Sequence, residues 1–483
     1  MSLSYIDYIM TLLLITALFR LRRRRLISVP AVILLGLAAI SCPRAAVFAE
    51  APGVADGARA GAYGDAAFRA DTDTGPDVAS QGEDGGADEG AELGSEPGFG
   101  EALPLAAEPM EPFFEALARM ERTGAGHVRV LHYGDSHTAA DLLTAAMRRA
   151  FQDRFGDGGR GFVHLGKPWK SYRPKDVKVA ESFGDWRAER ILVAVDPAAL
   201  DGRYGLPGVC TIGARRGAFV RVGTAESGES GREAASFDIF YLIQRGGGSF
   251  DVRVDGRVAG RVRTDGPGPH SGFYRVEAKP GLHAIEVRLR GDGEVRLFGV
   301  AVEAGRPGVV YDGLGVNGAF FYTPLRWDGA LLAEQIERRD PDLIIAMYGS
   351  NEVDSRTITR ESYRADVRRV MERFREGAPE ASCLLVGPPD RRPRDAVAGV
   401  ERLAWINDVQ REVADEIGCG FIDLLGLMGG AGSRAAWERQ GLAQPDGVHL
   451  TARGYRVVGE RLVDEIVGAY EDFREGNPLA GAE

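Results

Sequence analysis

Ser136 stands in the run Gly134-Asp135-Ser136-His137, between an apolar stretch at 127–133 and a helical stripe at 139–155. At such a junction the hydroxyl faces the crevice beyond the strand's carboxyl end, where open α/β sheets place ligands. The serine's own N–H lies at the start of a helix, where it helps to hold a developing oxyanion. Far along the chain, Asp446-Gly447-Val448-His449 precedes the last helical segment. A carboxylate three residues before a histidine on one turn orients the imidazole and stabilises its protonated form. The other ring nitrogen is then free as a general base. Each motif alone also has a plainer reading, as a helix cap or as a capping aspartate beside a surface histidine.

The elements that must position these groups alternate. After the strand at 127–133 and the helix at 139–155 come apolar runs at 342–348, 382–386 and 420–424. All three read as strands, and the first, short and mainly apolar, has the texture of a strand buried on both faces. Helical patterns at 361–376, 403–417 and 452–471 separate and follow them. This is the pattern of a doubly wound parallel sheet, flavodoxin-like in class. From 162 to 304 the texture changes to short alternating runs at 237–243, 250–254, 261–264, 273–278, 283–289 and 294–302, parted by Gly, Pro or Asp turns. That predicts an all-β sandwich or jelly roll inserted into the α/β domain. The expected divisions are 106–161 and 305–475 for the two parts of the α/β domain, 162–304 for the insert and 476–483 for a tail.

The first hundred residues read differently. Apolar runs at 8–19 and 26–41 flank five arginines between positions 20 and 25, and Val47 and Ala49 offer a small-residue cleavage site. Residues 1–49 are expected to be a signal peptide or membrane anchor, with the arginines inside and the rest of the chain outside the cytoplasmic membrane. Cys42 after Ala39-Ile40-Ser41 gives a weaker lipoprotein signal. Residues 50–105 lack aliphatic periodicity, and 50–100 carry twelve acidic residues against Arg59 and Arg69. Such a stretch buries too little to offset its ordering entropy, so a disordered acidic spacer is expected. The net charge of −11, concentrated in that spacer, speaks against nucleic acid. With Cys42 removed, three cysteines remain, too few for a disulfide framework. Cys383 in its apolar run reads as a small buried hydrophobe. No Cys/His spacing suggests a metal, and no cofactor is expected.

The motifs together resemble the SGNH hydrolase superfamily, the GDSL-type esterases. Gly134-Asp135-Ser136-His137 matches its first block, with His137 for the usual Leu. Asn317-Gly318-Ala319 is similar to the second, Gly349-Ser350-Asn351-Glu352 to the third with Glu352 for Asp, and Asp446-Gly447-Val448-His449 to the fifth. The resemblance covers roughly 125–160 and 308–470. It implies a Ser136, Asp446, His449 triad. It also implies an oxyanion hole made by the N–H groups of Ser136 and Gly318 and the Asn351 amide, with Gly313 and Gly315 as other glycines for the second role. The histidine after Ser136, the Glu352 variant and the β insert are similar to bacterial peptidoglycan O-acetylesterases and O-acetyltransferases. The implied function is hydrolysis of O-acetyl esters on an acetylated envelope glycan. Acetyl transfer to a glycan hydroxyl and non-catalytic wall binding are the alternatives. Trp169, Trp186 and Trp327 are candidates for sugar stacking, weighed against core packing.

Overall fold

A computed structural model describes residues 99–100, 103–192, 201–226 and 231–476. The segment read as a signal or anchor, most of the acidic spacer, and the tail lie outside these. Among the described residues no helix is long and apolar enough to cross a membrane.

Five strands form a parallel sheet in the order Gly308–Gly315, His127–Gly134, Leu343–Met347, Ser382–Val386, Gly420–Ile422. The central strand Leu343–Met347 is apolar at every position, and its neighbours His127–Gly134 and Ser382–Val386 are largely buried, because both faces are covered. On one face Val130, Tyr311, Ile345 and Leu384 pack against the helices Glu111–Thr123, Leu143–Phe155 and Ala452–Gly476. On the other, Leu131, Tyr133, Ile344 and Leu385 pack with the helices Gly329–Arg339, Arg360–Glu376 and Ala398–Ile417. The sheet is doubly wound, as the alternation predicts.

The stripe at 139–155 is broken. A short helix, Ser136–Ala139, is followed by Asp141 at φ 51°, and the long helix starts only at Leu143. The cause is the Asp141 carboxylate, which accepts from Thr144 Oγ1 at 2.8 Å, Arg160 at 2.6 Å and the Lys175 N–H at 2.7 Å. A local side-chain network here outcompetes helix continuation.

The β-rich stretch forms two antiparallel sheets. One runs His270–Gly281, Ala234–Ile243, Val295–Glu303, Val209–Gly213, Arg187–Arg190, with Gly161–Val163 paired to Val295–Glu303; the other runs Val177–Glu181, Phe219–Thr224, Ala284–Leu289, Ser249–Val254, Arg257–Arg263. Val220, Val222, Ile239, Phe250, Val287 and Leu297 fill the space between them. The outer face of the first sheet does not meet solvent alone. Phe162, Phe240 and Phe298 join the same buried cluster as Leu131 and Ile344 of the parallel sheet. Packed side chains thus couple the β region directly to the parallel sheet.

Candidate active site

Ser136 opens its short helix at the carboxyl end of His127–Gly134. Asp135 caps that helix, its Oδ1 accepting from the His137 N–H at 3.0 Å. The turn needs glycine before it: a Cβ at Gly134 would lie 2.1 Å from Thr138 Oγ1 and 2.8 Å from the Met347 carbonyl. Burial raises the Asp135 carboxyl to about 6.

Three hundred residues later, the turn 446–449 reaches the same crevice. His449 Nδ1 lies 2.7 Å from Asp446 Oδ2, and His449 Nε2 lies 2.9 Å from Ser136 Oγ. A carboxylate only accepts, so Nδ1 carries the proton and Nε2 is left to accept from the serine hydroxyl. Asp446 Oδ1 also accepts from the N–H groups of Val448 at 2.8 Å and His449 at 2.9 Å. Burial, the largest single influence, would raise its carboxyl. The His449 bond and the two backbone donors outweigh burial and hold it far below the ordinary carboxylate range. Asp446 is therefore ionised, as an orienting partner for imidazolium must be.

The other side of the crevice is built from two turns. Asn351 follows Leu343–Met347, and its Nδ2 donates to the Ala319 carbonyl at 2.8 Å. A primary amide has two N–H bonds, so the second remains available. Glu352 Oε1 accepts from the Phe321 N–H at 2.5 Å. Adjacent residues of one turn thereby fix the segment that carries Gly318. Gly318 itself sits at φ 78° in an exposed turn closed by Ala319 N–H to the Val316 carbonyl, 3.1 Å. Gly313 and Gly315 lie inside the edge strand. A Cβ on Gly315 would approach the Ala139 nitrogen to 2.2 Å, so close packing of helix on strand is reason enough for that glycine. Glu352 is fully buried, and burial pushes its carboxyl up to about 8.

Several groups escaped the sequence reading. Arg434, 3% exposed, donates to the carbonyls of Gln444 at 2.7 Å, His449 at 2.9 Å and Val448 at 3.1 Å. It is a clamp on the turn that carries the imidazole, and nothing in its neighbourhood of sequence signals this. Arg391 donates to the Ser350 carbonyl and to Asp354, holding the loop of Asn351. His137 Nδ1 pairs with Tyr455 Oη at 2.9 Å, and its ring centroid lies 5.5 Å from that of His449. Trp327 is buried, and Trp186 packs against Gly213 and Leu289; only Trp169 stands at the rim of a pocket.

One expectation is overturned. Cys383 is not an unpaired hydrophobe: it is disulfide-bonded to Cys419, with their Cα atoms 4.8 Å apart. Parallel pairing of Leu384 with Gly420 brings the two residues together, and their separation of 36 positions carries no sequence signature. Cys210 remains a buried free thiol, which burial pushes well up.

Residues 287–457 match the model of the GDSL-like Lipase/Acylhydrolase family. The match spans Gly318, Asn351, Asp446 and His449 but starts after Ser136, which the β region separates from the rest. The chain carries a GDSL-like acylhydrolase domain. Its overall fold agrees with that of a peptidoglycan O-acetylesterase, at 23% identity, a TM-score of 0.61, and coverage of 75% of this chain and 96% of that one. A family two carbohydrate esterase from Clostridium thermocellum (11% identity, TM-score 0.25, 59% of this chain and 98% of that one) is a looser likeness. So is an acetyl xylan esterase from Geobacillus stearothermophilus (19%, 0.26, 33% and 73%). No curated protein matches the chain. The fold thus brings Ser136 and the blocks inside the matched region together from both sides of a long β-rich insertion.

Proposed function

We propose that the protein removes O-acetyl groups from an acetylated cell-envelope glycan of the peptidoglycan kind, through an acyl-enzyme on Ser136. The single observation that carries the reading is the continuous hydrogen-bond chain from Ser136 Oγ through His449 to an ionised Asp446. In the first half-reaction His449 Nε2 takes the hydroxyl proton as Ser136 Oγ attacks the acetyl carbonyl. The Ser136 and Gly318 N–H groups and the second N–H of Asn351 receive the negative charge on oxygen. Imidazolium then protonates the departing sugar oxygen, and the acetyl group stays on Ser136. Water enters, gives its proton to His449, and releases acetate in the second half. A sugar hydroxyl in place of that water would make the same enzyme an O-acetyltransferase.

The glycan assignment is supported by the GDSL-like acylhydrolase match and by the fold shared with a peptidoglycan O-acetylesterase. A location outside the cytoplasmic membrane is supported by the Cys383–Cys419 disulfide, since such bonds persist in oxidising compartments. It is supported too by the arginine-flanked apolar runs near the N-terminus. The test is acetate released from acetylated peptidoglycan, measured beside a glycan acceptor. Free acetate supports the esterase, acetylated acceptor turns the reading to transferase, and neither product leaves only a wall-binding role. An alkaline-phosphatase fusion after Gly100 should be active; an active β-galactosidase fusion there would remove peptidoglycan from the substrates.

A further inference from the structure

Against the Ser136 helix lies a pocket, lined by Thr138, Asp141, Arg160, His164, Trp169 and Tyr172 among others, that the proposed ester chemistry does not use; the Asp141 carboxylate in its wall is already taken up by Arg160, Arg148, Thr144 and the Lys175 N–H. It faces the edge strand of the parallel sheet, since Gly313 and Gly315 also line it, and its other wall is the chain entering the β region. Three polar atoms of its lining, Thr138 Oγ1, Arg160 Nη1 and His164 Nδ1, are buried without a hydrogen-bond partner. All three residues are less than a tenth exposed. Buried polar groups are ordinarily paired, so three orphans from two segments around one pocket mark a place for something that pairs with them.

The charge around it has a sign. Arg148, Arg149 and Arg160 bond to Asp141 and Asp176, three guanidiniums against two carboxylates. Arg160 spends Nε on the Lys175 carbonyl and Nη2 on Asp141, which leaves Nη1 for an incoming acceptor. Burial and the Arg160 charge hold His164 neutral, down to about 3, so it adds a hydrogen-bonding atom without a charge. Rings of His164, Trp169 and Tyr172 meet edge to face at 5.1–5.7 Å, with Trp169 only partly buried at the rim. Aromatic faces beside a guanidinium suit the C–H face of a sugar ring whose substituent carries negative charge.

We infer that this pocket is a binding site for a carboxylate-bearing sugar, with the carboxylate on Arg160, His164 and Thr138 and the ring against Trp169. Its lining includes none of Ser136, Asp446 and His449, and its occupancy does not depend on turnover.

The test is titration of the full chain with N-acetylmuramic acid, glucuronic acid and N-acetylglucosamine, read by calorimetry or ligand-observed NMR. At least one acidic sugar should bind tenfold or more tightly than the neutral one. Which of the two does so distinguishes an ether-linked carboxylate from a ring carboxylate. Arg160→Gln should abolish the preference. Because Arg160 also braces Asp141, the partly exposed Trp169→Ala and the buried His164→Phe serve as second variants, each expected to weaken acid binding severalfold with an unchanged circular-dichroism spectrum. Equal binding of all three sugars, no binding of any, or a preference that survives all the variants would overturn the site and leave a pocket that holds water only. Acetate release by the wild-type protein, measured beside the titration, keeps the two readings apart. Acid-sugar binding by a wild-type protein that releases no acetate would uphold this site and sink the esterase assignment, and acetate release without acid-sugar binding would do the opposite.

Discussion

On one side of the crevice Asp446 keeps its charge, held there by two backbone N–H groups and an imidazole; on the other, Glu352 is sealed away and its proton is retained at neutral pH. Both residues belong to turns at the ends of parallel strands or just ahead of the final helix, and both are carboxylic acids. What separates them is access to donors. In the proposed mechanism Asp446 stabilises a charge that appears on His449; donors converge on it, and Arg434 holds the turn. Glu352 has the N–H of Phe321 and its own N–H as backbone donors and no cation paired with it, and these do not offset its burial; its work is to pin one turn to another. A carboxyl group's role in this site therefore follows from what surrounds it and cannot be assigned from residue type.

The sharpest way to break the comparison is to remove the groups the charged turn serves. Ser136→Ala should abolish acetyl-ester hydrolysis with the fold intact, and His449→Ala should be nearly as damaging. The double variant should be scarcely worse, because the two act as a unit. Asp446→Asn should lose less than either. Additive losses in kcat for the serine and histidine variants would mean that the hydrogen-bond chain is not a working relay.

Asn351→Ala probes the opposite side. It removes an amide that braces Ala319 and offers a second N–H to the crevice. A fall in kcat of roughly 10² to 10³ is expected from loss of one oxyanion donor. If only KM rose, the amide would be a substrate contact and the two sides of the crevice would have been misassigned.

Arg434→Met tests whether the charged turn needs its clamp. The variant removes the guanidinium donor from three backbone carbonyls, of which those of Gln444 and His449 keep a backbone N–H, and frees the turn to drift. We expect kcat to drop about tenfold, on the order of what a single hydrogen bond to a charged group contributes, with KM little changed. Arg434→Lys should restore part of it, since an ammonium reaches at most some of the same carbonyls. A KM effect with kcat intact would place Arg434 against substrate instead.

Much of this was legible before any coordinates. Gly134-Asp135-Ser136 and Asp446-Gly447-Val448-His449 announce themselves because their chemistry is local: each motif carries its own cap or its own hydrogen bond. The parallel strands were visible as apolar runs and the β region as short alternating ones. The unread parts are those decided between distant segments. Cys383 meets Cys419 only through strand pairing, Arg434 meets the turn 446–449 only through the packing of the short helix Arg434–Arg439, and Asp141 breaks a helix because Arg160 and Lys175 arrive from the β region. The shared core of Phe240 and Phe298 with Leu131 is of the same kind. Periodicity predicts a strand but not which sheet its outer face will meet.

The smallest effect sharpens the comparison most directly, because it isolates the buried acid from catalysis. Glu352 has a folded-state carboxyl raised from 4.5 to about 8 by burial, against the weaker opposing effect of the Phe321 N–H and its own. A raised value means that the native protein holds a proton which the unfolded chain releases. Its stabilising effect is complete below pH 4.5 and declines as pH rises, until it is gone above the folded value near 8. Glu352→Gln keeps the acceptor for Phe321 and never ionises, so it should melt close to wild type at pH 5 and a few degrees above it at pH 8. Thermal melts at half-unit steps across that window would trace the difference. A variant that melts below wild type by the same margin at every pH would show that Glu352 is anionic in the folded protein. Burial would then have failed to separate it from Asp446.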